Sequence, residues 1–143
     1  MSKLLDEQNL KYPILHKITG AAMEVHREYK PGLLESAYEA ALKYVLEQEG
    51  LKVDKQVYLP IYWKGVQLDQ NYRVDLLVNN EVIIELKAVS FVSGDHRRQL
   101  INYMRLMKLP FGMIMNFGAN SLYSEWYELN RLTDHIQKIR TMR

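Results

Sequence analysis

The chain has 143 residues, of which 48% are hydrophobic and 25% charged, and its net charge is +2. A chain of this length buries a sizeable core, so we predict a single domain over residues 1–143. The absence of cysteine excludes disulfides, thiolate zinc sites and a cysteine nucleophile. No apolar run approaches the ~18 residues that span a bilayer, and acidic residues interrupt the N-terminal segment where a signal peptide has its apolar stretch. We therefore expect a cytoplasmic protein with no membrane partner.

The first third of the chain is predicted to form two helices. Apolar residues recur at helical spacing over residues 13–29, and Pro31-Gly32 ends this helix. A second helix is predicted over about residues 33–49, with Gly50 where a C-terminal cap belongs.

The remainder of the chain is predicted to be mostly strands. Residues 56–63 alternate as a strand requires, and they precede a turn at 64–65 and a short strand at 66–68. Further strands are predicted at 72–78, 82–89, 111–117 and 121–129, with a third helix at 95–108. The end of the chain is predicted to be a short helix or a mobile tail. This order predicts an α/β (α+β) fold with a mixed sheet, not a doubly wound parallel one.

Two acidic residues, Asp75 and Glu85, lie on the adjacent predicted strands 72–78 and 82–89. The length of the hairpin loop between these strands determines whether the two side chains share a face of the sheet. A two-residue loop pairs Val78 with Glu81 and points Asp75 and Glu85 to opposite faces. A three-residue loop pairs Val78 with Val82 and places Asp75 directly opposite Glu85. The apolar residues favour the three-residue loop, because it keeps them together on the opposite face.

Such an acid pair has a distinct chemistry. Like charges a few ångströms apart disfavour joint ionisation unless a cation compensates, and carboxylate oxygens suit Mg²⁺ or Mn²⁺. Lys87 shares the face of Glu85, where an ammonium group can orient or deprotonate an attacking water. The alternative is a surface cluster of ordinary ion pairs.

The second helix adds a third acid. Glu35 falls on a stripe with Tyr38, Leu42 and Val45 that is otherwise apolar. A buried acid needs a partner, which indicates that Glu35 points toward the same site. Alternatively, Glu35 only favours the helix dipole at the start of the helix.

The third helix carries polar residues that suit a nucleic acid. His96, Gln99 and Tyr103 are three and four residues apart and share a face, and such side chains hydrogen-bond to phosphate or base edges. Basic residues in this region and in the tail either neutralise phosphates or form a solvated surface; they are His96, Arg97, Arg98, Arg105, Lys108, Lys138, Arg140 and Arg143.

These residues together resemble the GxxExxY family of the PD-(D/E)xK nuclease superfamily over nearly the whole chain. The segment 32–38, GLLESAY, resembles the name-giving motif. The segment 72–89, YRVDLLVNNEVIIELKAV, resembles the Asp strand and the Glu-x-Lys strand that follows it. The helix residues His96, Gln99, Asn102 and Tyr103, with the segment 112–118, resemble the next helix and strand. Val74 stands where the superfamily name has proline.

The resemblance implies a restriction-endonuclease-like core, in which a mixed central β-sheet is flanked by helices. It also implies hydrolysis of phosphodiester bonds, with DNA as the expected substrate and Mg²⁺ (or Mn²⁺) as the cofactor. Asp75 and Glu85 become metal ligands together with the backbone carbonyl of Leu86, Lys87 orients the attacking water, and Glu35 is an additional acid. The residues expected to contact the substrate are Tyr38, His96, Gln99 and Tyr103.

A second function competes with the nuclease. A non-catalytic nucleic-acid-binding or protein-interaction module can retain the same fold. The complete set of Asp75, Glu85 and Lys87 favours the nuclease, because a site that has lost its activity usually lacks at least one such residue. The modest net charge and short chain favour a protein that engages nucleic acid with a protein partner or as a homodimer.

Overall fold

A computed structural model describes residues 11–142; the N-terminal segment considered above and Arg143 lie outside them. The chain begins with helix α1, Pro13–Tyr29, whose buried residues recur every three or four positions. Proline at the first helical turn is compatible with the helix because its missing N–H would have no helical partner there. After a turn, helix α2 spans Glu35–Gln48. Both helices confirm the predictions, although α2 begins two residues later than expected.

Six strands form one sheet in sequence order. They are β1 Val53–Trp63, β2 Val66–Val78, β3 Val82–Lys87, β4 Phe111–Asn116, β5 Tyr123–Asn130 and β6 His135–Met142. All neighbours are antiparallel except β3 and β4, which are parallel because helix α3, Gly94–Met107, carries the chain back between them. This architecture confirms the predicted α+β fold with a mixed sheet flanked by helices.

Two predictions about strands are wrong. The segments predicted as separate strands at 66–68 and 72–78 form one continuous strand, β2. The end of the chain is neither helix nor tail, because β6 pairs along β5. Ile136 and Ile139 are three residues apart, as on one face of a helix, but on a strand this spacing places them on opposite faces, and they pack in different cores.

The helices cover both faces of the sheet and create two cores. Helices α1 and α2 pack on one face; the larger core there includes Leu15, Ile18, Leu42, Leu46, Leu76, Ile84, Met113 and Trp126. Helix α3 packs on the other face; its core includes Leu77, Ile83, Leu100, Met104, Ile114 and Tyr127. Gly112 marks the closest approach of α3 to β4, since a Cβ there would lie 2.5 Å from Met104 Sδ.

Strands β1 and β2 change faces in mid-course. Val53 packs in the α1–α2 core whereas Val57 packs in the α3 core, although residues four apart on a regular strand share a face. The same change separates Val74 from Leu76 on β2. The irregularity lies between these residues, where Gln56 has φ 50°, and β2 pairs with β3 over residues 76–78. Across residues 11–142, no helix is both long enough and apolar enough to cross a membrane.

Candidate active site

The acid pair forms at the irregularity in β2. Val78 pairs with Val82 and Leu76 with Ile84, which confirms the three-residue loop and excludes the two-residue one. The next positions along this register are Asp75 and Glu85. The Asp75 backbone N–H donates to Glu85 Oε1 at 3.4 Å, and the Leu86 N–H donates to Asp75 Oδ2 at 2.9 Å. The two carboxylates therefore lie side by side, each accepting a hydrogen bond from the other strand.

The acid pair lies in a poorly solvated part of the fold. Glu85 is 2% exposed, and Asp75 is half-buried. Burial and the neighbouring charge of Asp75 raise the pKa of Glu85 to about 8, although Lys87 acts in the opposite direction. A buried carboxylate whose pKa is raised in this way favours any cation that can reach it.

Lys87 and helix α3 form the other side of the pair. Lys87 Nζ donates to Gln99 Oε1 at 3.2 Å, and Gln99 Nε2 donates to the Tyr103 hydroxyl at 3.0 Å. Burial raises the pKa of Tyr103, and the charges of Glu85 and Asp75 add to the effect. The structure thus brings together Asp75, Glu85, Lys87, Gln99 and Tyr103.

His96 caps the helix beside this group. The Ser93 N–H donates to His96 Nδ1 at 3.1 Å, and the His96 N–H donates to Ser93 Oγ at 3.3 Å, a reciprocal arrangement that satisfies the start of α3. Burial and the positive charge of Lys87 lower the pKa of His96. Because Nδ1 accepts the Ser93 N–H, Nε2 is the ring nitrogen left to donate a hydrogen bond, and the contact of His96 with a substrate stays a prediction.

Glu35 does not lie on the buried stripe. It is exposed, whereas Tyr38 and Leu42 are buried, because α2 begins at Glu35 and the first residue of a helix lies at its open end. The prediction that Glu35 points away from solvent is wrong. Its charge is nevertheless a minor part of the electrostatic environment of both Glu39 and His96, so it lies at the edge of the site.

Tyr38 is a structural residue, and its predicted contact with a substrate is contradicted by its complete burial. Its ring stacks on Phe117 at 4.6 Å between centroids. Its hydroxyl donates to the Lys30 carbonyl and accepts from the Leu33 N–H at 3.2 Å. Tyr38 therefore anchors the turn in which Gly32, at φ 121°, lets the chain enter α2.

Two residues next to the acids were missed from the sequence. By the register of β1 with β2, Gln56 lies opposite Asp75, and its side-chain amide donates to Glu39 Oε2 at 2.7 Å. Burial raises the pKa of Glu39, and the charge of Asp75 adds to the effect. Glu39 is one helical turn after Glu35, and this spacing was the only feature of the sequence that could have indicated that Glu39 lies near the site. The left-handed backbone of Gln56 carries no signal in the sequence, since non-glycine residues rarely adopt it.

A second buried acid, Glu125, was also missed. It is 0% exposed and accepts hydrogen bonds from Arg97 Nε and Nη2 at 2.8–3.0 Å, from Tyr127 at 2.6 Å and from Tyr123. Burial alone would raise the pKa of Glu125, but these donors outweigh it and hold the pKa at about 2. The Arg97 guanidinium is therefore oriented by a buried carboxylate and is not a freely solvated charge, and its contact with a phosphate stays a prediction.

The other arginines of α3 are on the surface. Arg98 pairs with Asp95, with both side chains largely exposed. Arg105 donates to Asn102 Oδ1 at 3.4 Å. An exposed ion pair such as Arg98–Asp95 contributes little to stability, so both arginines are accessible either to solvent or to a phosphate, and the choice between these two predictions stays open.

The donor set at the acid pair suits a hard divalent cation. Within residues 11–142, no group of three or more His, Cys, Asp or Glu side chains is arranged to hold a metal. A cation between Asp75 and Glu85 would therefore complete its shell with main-chain oxygen and water, as Mg²⁺ commonly does. Two adjacent carboxyl groups, one of them buried with a raised pKa, fit such an ion, because a cation between them would favour the ionised form of both.

Comparisons with known proteins identify the superfamily of the chain. A family model described as the PD-(D/E)XK nuclease superfamily matches residues 12–129. No curated protein matches the sequence significantly. A solved structure titled "Crystal structure of SSO0001" is similar, with 19% sequence identity and a TM-score of 0.49. The similarity covers 88% of this chain and 65% of that one.

Proposed function

Because the chain belongs to the PD-(D/E)XK nuclease superfamily, we propose that it is a metal-dependent nuclease that hydrolyses the phosphodiester bonds of DNA. We further assign it to the GxxExxY family within that superfamily. One observation carries the proposal: Asp75 and Glu85 lie side by side, and the lysine two residues after Glu85 is held over the same face by Gln99.

The proposed metal ligands are the two carboxylates and the backbone carbonyl of Leu86. The N–H of Leu86 points across to Asp75, and the N–H and C=O of one strand residue point to the same edge. That carbonyl therefore lies on the edge that carries the acid pair. A bound Mg²⁺ or Mn²⁺ would supply a water of lowered pKa and accept the negative charge that develops on the phosphate.

Lys87 is the proposed water-positioning residue. Its Nζ donates to Gln99 Oε1, and Gln99 is itself tied to Tyr103, so the ammonium group is fixed relative to the acids before a substrate binds. Positioned charges that need no reorganisation stabilise a transition state most strongly.

The groove beside Gln99 is the proposed path of the DNA backbone. A depression of about 300 Å³ is lined by Tyr72, Arg98, Gln99, Asn102 and Tyr103, with Asp95. The amide, hydroxyl and guanidinium groups there are of the kind that contact phosphate and sugar. We also propose that a protein partner or a second copy of the chain contributes further DNA contacts, because the net charge is only +2.

Cleavage assays test this function. The purified chain is incubated with single-stranded, double-stranded and branched DNA and with RNA, in Mg²⁺ or Mn²⁺, with and without a chelator. We expect metal-dependent cleavage that falls at least ~100-fold in Lys87→Ala, the usual scale for losing one positioned catalytic group. Lys43→Ala is the matched control, since Lys43 makes only a surface pair with Glu47.

A non-catalytic nucleic-acid-binding module is the second candidate, favoured by the absence of a three-side-chain metal group among residues 11–142. In that case DNA binding survives both Lys87→Ala and Asp75→Asn, and every substrate stays intact in both metals. That result overturns the nuclease proposal.

A further inference from the structure

An open pocket of about 460 Å³ lies at the ends of β3 and β4, next to the acid site. Its wall includes Ser90, Phe91, Arg97, Asn116, Ser121 and Tyr123. We propose that this pocket binds one unpaired nucleotide of the substrate, with the base stacked on Phe91 and the phosphate bound by Arg97. The inference rests on the proposed function and adds to it a preference for single strands, flaps and frayed ends over intact duplex.

The cationic part of this pocket is rigid. The Arg97 guanidinium has five N–H donors. The Nε–H and one N–H of Nη2 donate to Glu125. Tyr123 also interacts with the guanidinium, which leaves at least two N–H groups for a ligand. The Arg97 side chain is 35% exposed. A guanidinium that a buried carboxylate already orients loses little freedom when it binds a phosphate oxygen.

The aromatic part of the pocket is open to solvent. Phe91 is 84% exposed, in the segment between β3 and α3. An isolated exposed aromatic side chain is unremarkable, but here it shares a pocket with a fixed cation and two serine hydroxyls. Stacking aromatic side chains beside a basic backbone-binding group is the arrangement by which proteins hold single-stranded nucleic acid.

The base of the pocket is preformed. The Asn116 side chain accepts from the N–H of Val89 and of Gly118, both at 3.0 Å, and donates to the Val89 carbonyl at 2.9 Å. A Cβ at Gly118 would lie 2.3 Å from the Val89 carbonyl oxygen, so the two segments touch backbone to backbone. The loop that carries Phe91 therefore begins at a fixed backbone position. Ligand pockets are usually preformed in this way.

The pocket adjoins the proposed catalytic lysine. Lys87 pairs with Asn116 in the β3–β4 register, so the pocket begins one strand, about 5 Å, from Lys87. A nucleotide held there would place a neighbouring phosphate at the acid pair. In a paired duplex the base remains stacked within the helix and cannot reach Phe91, which is the physical basis of the expected preference.

Equilibrium binding in a chelator tests the pocket without the metal site. The probes are a short fluorescent oligothymidylate, an oligouridylate of the same length and a blunt duplex. We expect Phe91→Ala to weaken binding of the DNA single strand about 10-fold, Phe91→Trp to retain it, and duplex binding to change little. Leu132→Ala is the control, because Leu132 is likewise apolar and 97% exposed but lies in the β5–β6 turn. Comparing the oligouridylate with the oligothymidylate shows whether the pocket prefers RNA or DNA, since both probes offer an unpaired base and a phosphate.

The outcomes separate this inference from the nuclease proposal. Unchanged single-strand binding in Phe91→Ala overturns the inference, as does equal weakening for single strand and duplex, or for Phe91→Ala and Leu132→Ala. A wild-type chain that binds none of the probes overturns it as well. A chain that binds single strands through Phe91 but cleaves nothing supports the pocket and overturns only the nuclease.

Discussion

Two buried glutamates lie in one row of the sheet and have opposite electrostatic environments. Glu85 on β3 pairs with Ile114 on β4, and Ile114 pairs with Glu125 on β5, so one strand separates the two carboxyl groups. Both are almost completely buried. The pKa of Glu85 is raised to about 8, whereas the pKa of Glu125 is lowered to about 2.

The difference comes from the partners and not from burial. Glu125 receives a guanidinium and two phenol hydroxyls, so its charge is fully neutralised and hydrogen-bonded within the fold. Glu85 faces a second acid, and the cation that acts on it, Lys87, donates its hydrogen bond to Gln99. A buried acid with complete partners is structural, whereas a buried acid with a strongly raised pKa is a candidate functional residue.

The largest expected effect follows from removing the partner of Glu125. Arg97→Met leaves that carboxylate buried with two tyrosine hydroxyls but no cationic partner, and we expect a loss of about 3 kcal/mol in the free energy of unfolding, at the lower end of the range for a broken buried ion pair. Urea denaturation measures it. Arg98→Met is the matched control on the same helix, because the Arg98–Asp95 pair is exposed and should contribute less than about 1 kcal/mol. Equal losses in the two variants would mean that Glu125 is not a buried anchor.

The pH dependence of stability gives a second comparison. Because the pKa of Glu125 is about 2 in the folded chain and ordinary when unfolded, its stabilisation is complete above about pH 4.5 and is lost as the pH falls toward 2. The shift corresponds to about 3 kcal/mol. Glu125→Gln should lack this part of the slope in urea denaturation between pH 5 and pH 2. Parallel profiles for the variant and the wild type would contradict the low pKa.

A smaller effect of opposite sign is expected at the acid pair. The raised pKa of Glu85 means that its neutral form suits the fold and that stability is lost as the pH rises through about 8. Glu85→Gln imitates the neutral form, so at pH 9 without metal it should be more stable than wild type by about 1 kcal/mol. Thermal denaturation in a chelator measures this, with the exposed Glu28 as the Glu→Gln control. A destabilised Glu85→Gln chain would refute the account of this pair.

The acid pair could be predicted from the sequence because local pattern determines it. The partition of apolar residues on β2 and β3 favoured one hairpin loop, and the structure has that loop. The general fold followed from the order of helical and strand periods in the same way. The cytoplasmic location, the protein partner and the substrate contacts of His96, Gln99 and Tyr103 stay predictions.

The remainder of the site depends on contacts between residues far apart in the chain, and such contacts produce no recognisable pattern in the local sequence. Glu125 sits in a predicted strand, but its partner Arg97 is 28 residues away and resembles any helix-surface arginine. Glu39 becomes part of the site only through the unusual backbone of Gln56. Glu35 was misjudged because the helix stripe was extended to a residue at which the helix only begins.

Cation binding by the acid pair tests the central claim most directly. Calorimetric titration of Mn²⁺ into the wild-type chain should show binding that Lys87→Ala retains and that Asp75→Asn loses, because an amide is a poorer ligand than a carboxylate for a hard cation. The same titration can be followed as a rise in melting temperature that only the binding-competent chains show. Equal Mn²⁺ binding by wild type and Asp75→Asn, or none by either, would contradict the assignment of Asp75 and Glu85 as a metal site.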